Sequence, residues 1–335
     1  MRIAICIAGM PRHYDKCAQS ILDFFSVEGV ETDFFIHSWV NVRHKNSVAL
    51  SEPFQYEEGF LKGELQKIYN PKKILIEDQL NQTQLQKDFE CLRNTQAILQ
   101  NFHENAKHAR DLWIEEITEN AYSSRTLPMT KGYKMFLEHY HMGQMYSIEQ
   151  AAKLRSRYEK ENNFKYDLVF RFRFDTLIKK QQGAAKQLLK KAKDRNKKCK
   201  TLSTSMGVLY TRWIKFYGPV NHVGDDFFGG DSEVFDFVNK IYKYQLNRII
   251  KLMANSSDVA SLLPSCDSPL KTIVPTLVYE WVTGTPELTL SYLCQENNLI
   301  VDNTLGSVGI LRYLDKHKEE EDQSWDNLIK VNPKI

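Results

Sequence analysis

Apolar and polar positions change period several times along the chain, and each change marks an element. Residues 2–8, R-I-A-I-C-I-A, form an apolar run of the kind found in a strand covered on both faces. Gly9 and Pro11 end it, the first by allowing close backbone approach and the second by removing a donor. Cys17, Ile21, Phe24 and Phe25 then recur at helical spacing. D-F-F-I-H-S-W at 33–39 predicts a second strand that ends in polar and aromatic groups. Residues 57–69 predict a helix that stops before Asn70-Pro71, and 72–77 a third strand. Strand-helix-strand-helix-strand is a parallel α/β pattern, half of a nucleotide-binding sheet.

Residues 81–122 carry a broken apolar stripe in a long polar stretch, the pattern of one or two inserted helices. Residues 132–161 form the next helical block, with Met135, His139, Met142, Met145, Ile148 and Leu154 on one stripe. Such a methionine stripe reads as core. Residues 166–175, Y-D-L-V-F-R-F-R-F-D, alternate with period two, which predicts the central strand. An amphipathic, lysine-rich helix is expected within 179–200 and extended segments at 208–210 and 213–217. A short strand is expected in V-G-D-D-F-F-G-G-D at 223–231, then a helix over 233–255 that Asp231 or Ser232 can cap. After a loop-rich stretch at 256–275, helices at 277–282 and 286–296, short strands at 298–302 and 307–312, and a charged tail at 314–335 complete the prediction. Residues 1–313 are expected to form one domain.

Composition changes this picture little. A net charge of +3 over 335 residues demands neither nucleic acid nor membrane as partner. The charge is unevenly spread, since Asp194 is the sole acid in the lysine-rich run at 179–200. That run reads as a solvated helix face or as a surface for an anionic acceptor. Six cysteines without a C-x-x-C pair argue against a zinc ribbon or a dithiol redox site and suggest a reducing compartment. No apolar run approaches the roughly 20 residues of a membrane span. A cytoplasmic location is expected. There is no G-x-G-x-x-G and no Walker lysine, so dinucleotide and P-loop chemistry are not supported.

Candidate chemistry gathers on the central strand. Arg171, Arg173 and Asp175 share one face, with Leu168, Phe170, Phe172 and Phe174 on the other. Arginine prefers bidentate anions such as phosphate, and an aspartate beside phosphates commonly holds a divalent cation. The pattern predicts a metal-diphosphate site at the carboxyl edge of the sheet, where open α/β sheets bind ligands. It also fits a structural Arg–Asp ladder. Gln144 and Tyr146 begin the stretch before this strand and are expected to face the ligand. Asp225 and Asp226 read either as a turn or as a base facing the site, and Glu287 sits where a helix dipole favours an acid.

Taken in order, I-A-I-C-I-A-G-M-P-R at 3–12, D-F-F-I-H-S-W at 33–39, Y-N-P-K-K at 69–73, Q-M-Y-S-I-E-Q-A-A-K-L at 144–154, the central strand, G-D-D-F-F-G-G-D at 224–231 and P-E-L-T-L-S-Y-L at 286–293 resemble a family. It is a group of glycosyltransferase-like proteins of phages, large viruses and bacterial surface-polysaccharide clusters. The resemblance implies a GT-A-like, Rossmann-like α/β fold and a nucleotide-sugar donor, with a UDP-sugar expected. It implies Mn²⁺ or Mg²⁺ at Asp175. The usual Asp-x-Asp is Arg173-Phe174-Asp175 here, so the arginines take part of the cation's work. Ala8, Gly9, Pro11 and Arg12 would lie against the nucleotide, and His37 and Trp39 would flank its base or ribose. Asp226, then Asp225, then Glu287 would serve as the acceptor's base. The acceptor would be a glycan or hydroxymethylated phage DNA, the latter meeting the basic helix at 179–200 in a host cytoplasm. A homodimer is compatible with the surface helices. The alternative is a nucleotide-sugar- or carbohydrate-binding module without turnover.

Overall fold

The computed structural model describes residues 1–41, 55–79, 81–85, 87–88, 142–178, 184–196, 201–204, 227–254, 289–290, 293–294, 297, 299–302 and 310–312. The expected insert beyond residue 88, the extended segments at 208–210 and 213–217, Asp225, Asp226, the helix at 277–282, Glu287 and the tail lie outside them.

The expected α/β fold is present, with a mostly parallel sheet flanked by helices. Strands β1 (Arg2–Gly9), β2 (Glu31–Trp39), β3 (Lys73–Glu77) and β4 (Leu168–Phe172) run parallel in the order β3-β2-β1-β4. Helix α1 (Tyr14–Phe25) links β1 to β2, and α2 (Glu58–Tyr69) precedes β3. The Glu57 carboxylate accepts from the Gly59 and Phe60 amides and starts α2. The sheet continues through β7 (Phe227–Gly230), antiparallel to β4, then β6 (Thr201–Thr204) and β8 (Ile300–Asp302). A separate pair joins β5 (Thr176–Ile178) to β9 (Ile310–Arg312).

Alternation along β1 divides the core. Ile3, Ile5 and Ile7 face α1 and α2, where Phe25, Phe170 and Phe172 pack against them. Ala4, Cys6 and Ala8 face the long helix α3 (Gly143–Glu161). These small side chains let α3 lie close across the sheet, with Ala151 and Ala152 fully buried beneath it. On the far side of α3 a buried polar group locks it in place. Arg155 donates to Glu159, Ser232 and Asp236 at 2.7–2.8 Å, and Glu159 also accepts from the Tyr166 amide that leads into β4. Among the described residues, no helix is long and apolar enough to cross a membrane.

Two elements depart from their expected bounds. The central strand was expected over 166–175, but β4 ends at Phe172. Its ladder with β1 stops at Ile7–Phe172, because β1 turns away at Gly9 with φ +125°. The Thr176 hydroxyl then accepts from the Arg173 amide and closes a turn, so Arg173 and Asp175 sit on that turn. The single helix expected over 233–255 is broken into α5 (Ser232–Phe235), a 3₁₀ turn (Asp236–Lys240) and α6 (Ile241–Ala254). Asp231 caps the first piece through the Val234 amide, as expected. Glu149 of α3 accepts from the Tyr242 amide and so gives α6 its own start. The helix α4 (Ala184–Asn196) has the expected character. Ala185 and Leu189 are buried, while Lys186, Lys190 and Lys193 are exposed.

Candidate functional site

The parallel strands point their carboxyl ends at one edge of the sheet, and a cleft partly open to solvent lies there. β1 contributes Ala8 and Gly9, and the turn after it contributes Met10 and Arg12. β2 contributes Trp39, the segment after β3 Gln79, and the first turn of α3 Gln144. Arg171 from β4, with Arg173 and Asp175 from the turn after it, completes the lining.

The charged groups are held out of water. Arg12 is 8% exposed, Arg173 7%, Asp175 3% and Arg171 1%. Arg173 meets Asp175 in a two-point fork, Nε to Oδ1 at 2.8 Å and Nη2 to Oδ2 at 3.1 Å. Arg12 Nη2 approaches the same Oδ2 at 3.2 Å. One carboxylate thus bridges two guanidiniums from the turns after two different strands, and a third guanidinium lines the same space. Charge-assisted forks of this type fix geometry as well as energy.

Behind Trp39 lies a closed polar relay. His37 has no exposed surface. The Ser147 hydroxyl donates to His37 Nδ1 at 2.7 Å, and His37 Nε2–H donates to Glu77 Oε2 at 2.8 Å. Each ring nitrogen is satisfied with the imidazole neutral. Burial accordingly lowers the His37 pKa, although the Glu77 contact opposes the shift. Burial pushes the Glu77 carboxyl up, but hydrogen bonds from His37, Gln82 and Tyr146 outweigh it and leave the group below its ordinary value. The Tyr146 ring stacks on Trp39 at 5.4 Å, and His37 meets Trp39 edge-on at 4.7 Å. Hydroxyl, imidazole and carboxylate here follow the order of a hydrolytic triad. With Ser147 and His37 sealed from solvent, the relay positions Trp39 and offers no nucleophile.

Of the residues expected at the site, Ala8, Gly9, Arg12, Trp39, Gln144, Arg171, Arg173 and Asp175 meet in the cleft. His37 and Tyr146 lie behind Trp39, and Pro11 is buried beside the lining residues. Asp225, Asp226 and Glu287 lie outside the described residues. Met10 and Gln79 were not singled out from the sequence. Gln79 follows β3 by two positions, so the rule that parallel strands present their carboxyl ends to ligand was signal enough. Its amide packs close to Gly143, where a Cβ would stand 2.1 Å from Gln79 Nε2.

A divalent cation at Asp175 asks for about six oxygen ligands around it. Among the described residues, no group of three His, Cys, Asp or Glu side chains is gathered. Both Asp175 oxygens already accept from guanidiniums. This donor set suits an ion-paired carboxylate and does not fit a metal ligand.

No family model matches the chain, and no curated protein matches it. Among solved structures, mouse xyloside xylosyltransferase 1 in its apo form is similar at 10% identity, with 90% of this chain and 83% of that one covered and a TM-score of 0.35.

Proposed function

We propose that the protein is a glycosyltransferase that takes a sugar from a nucleoside-diphosphate sugar, a UDP-sugar first, to an acceptor hydroxyl. One observation carries the reading: three buried guanidiniums line a cleft at the carboxyl edge of a parallel sheet, with Asp175 holding two of them. Buried guanidiniums of this kind favour a multiply charged, oxygen-rich ligand, and a diphosphate answers both needs. In the transfer, the acceptor oxygen bonds to the anomeric carbon as the bond from that carbon to the diphosphate oxygen breaks. The electron pair leaves with the nucleoside diphosphate, whose growing charge the arginines neutralise. The acceptor proton passes to a carboxylate, for which Asp226 is the first candidate, Asp225 the second and Glu287 the third. Phe227, which follows Asp226 in the chain, pairs with Phe172 at the end of β4 beside Arg173. The acceptor is a glycan or hydroxymethylated DNA, with the exposed lysines of α4 as the surface for the latter.

A nucleotide-sugar-binding module without turnover is the second reading, favoured by the engagement of Asp175 with arginine. A thermal-shift screen of UDP-, GDP-, CDP- and ADP-sugars tests both. Binding to the folded state alone raises the melting temperature by mass action. A shift with one donor that Arg173→Ala abolishes supports the donor site, and release of the free nucleoside diphosphate from that donor selects the enzyme. No shift with any donor sinks the proposal.

A further inference from the structure

We infer that the cleft binds its diphosphate ligand without a divalent cation, with Arg12, Arg171 and Arg173 as the counter-charge and Asp175 as the brace that aims two of them. The inference rests on the donor-site reading above and concerns how that site is charged.

The geometry of Asp175 carries it. Oδ1 accepts from Arg173 Nε at 2.8 Å, and Oδ2 faces both Arg173 Nη2 at 3.1 Å and Arg12 Nη2 at 3.2 Å. A hard dication would have to reach an oxygen that already lies against two cations, in a place where the carboxylate is 3% exposed. Low exposure removes the water that would screen that repulsion. It would also have to find the rest of its ligand shell where the described residues offer no second carboxylate beside Asp175.

The fork has a use in this arrangement. Arg12 comes from the turn after β1, and Arg173 from the turn after β4. Long side chains at the ends of two strands would otherwise splay apart through mutual repulsion and rotamer freedom. A single carboxylate between them fixes both guanidinium planes before ligand arrives. That preorganisation lowers the ordering cost of binding an anion. Asp175 is thus a positioning residue, and the three arginines are the groups that touch phosphate.

Isothermal titration of the full chain with UDP tests this, once with EDTA and once with Mn²⁺ in excess. The affinities are expected to agree within roughly threefold, since no metal is held by the protein. Arg173→Met is expected to weaken UDP binding in EDTA by at least about tenfold, and Arg173→Lys by less, because charge survives without the fork. Asp175→Asn removes the charge that braces Arg12 and Arg173 and turns an amide NH2 toward a guanidinium, so it is expected to weaken UDP binding to the same extent with EDTA and with Mn²⁺. As a second measurement, the free-ion electron paramagnetic resonance signal of Mn²⁺ is expected to persist undiminished when protein alone is added. Binding that requires Mn²⁺, or loss of that requirement only in Asp175→Asn, would overturn the inference and leave the donor-site reading standing. If UDP, GDP, CDP and ADP all fail to bind under both conditions while melting stays cooperative, both readings fall together.

Discussion

Gly9 shows how a single position shapes the cleft. Its φ of +125° is on the side of backbone space that side chains avoid, yet a Cβ there would meet nothing within 4 Å. The need for glycine is therefore conformational. The Ser38 hydroxyl donates to the Gly9 carbonyl at 3.2 Å and holds the turn against β2. Gly9→Ala is expected to cost about 1–3 kcal/mol of backbone strain, read as a fall in melting temperature, and to weaken UDP binding because the turn carries Arg12. Gly229 is the opposite case. A Cβ there would lie 2.2 Å from Phe170 Cδ1 and 2.6 Å from the Val169 carbonyl oxygen. Gly229→Ala is expected to destabilise the chain by about 1–3 kcal/mol through overpacking, without a special effect on ligand. The fold distinguishes these two glycines, one by its positive φ and the other by the pairing of β7 with β4. In the sequence each is a glycine at the end of an apolar run.

At the scale of elements, the relay between β2, β3 and α3 sets how stability responds to acid. His37 is neutral when folded, and its pKa is lowered from the ordinary 6.5 by burial. The unfolded chain therefore binds a proton that the folded chain refuses. Stability from this group is complete above pH 6.5 and is lost as pH falls from there through the folded-state value. The melting temperature is expected to decline over that window. In His37→Gln the decline should be shallower, on top of an overall loss of about 1–3 kcal/mol for the buried hydrogen bonds. A decline of equal slope in both proteins would assign the acid sensitivity to other groups. The pairing with Glu77 and Ser147 could not be read from the chain, because the partners lie 40 and 110 residues away. His37 read instead as a ligand contact, since strand-end polar groups usually face the ligand. Here α3 covers it.

At the scale of the whole molecule, charge is divided between a buried pole and a surface one. The buried pole is the arginine cleft at the end of β1 and β4, and the surface one is the exposed face of α4. Lys193 is engaged with Asp167 at 3.4 Å, a half-exposed pair of little energetic weight. Replacing Lys186, Lys190 and Lys193 together by serine is expected to change stability by no more than about 0.5 kcal/mol per site and to leave UDP binding unaltered. With a duplex DNA acceptor the triple variant should flatten the salt dependence of binding, because the logarithm of affinity falls against the logarithm of salt with a slope of about 0.9 per phosphate contact. With a glycan acceptor, both proteins should transfer the sugar at the same rate across the salt range.

Local pattern determined a good deal of this protein. The apolar run at 2–8 and the alternation at 166–175 predicted two strands, which fold as Arg2–Gly9 and Leu168–Phe172, because strand side chains have a fixed period. The same alternation predicted Arg171, Arg173 and Asp175 on one side; the strand ends before the last two, and the turn after it brings them to the edge where the parallel α/β order sends Gly9, Arg12 and Trp39. Tertiary structure decided what those groups do to one another. Whether Asp175 faces a cation or two guanidiniums depends on the distance between the ends of β1 and β4, which lie more than 150 residues apart in the chain and meet only through the sheet. The end of the central strand at Phe172 likewise followed from where its neighbour turned away. Periodicity is a property of neighbouring residues and is written in the sequence. Pairing between distant charges is a property of the folded sheet, where burial and separation fix which partner wins.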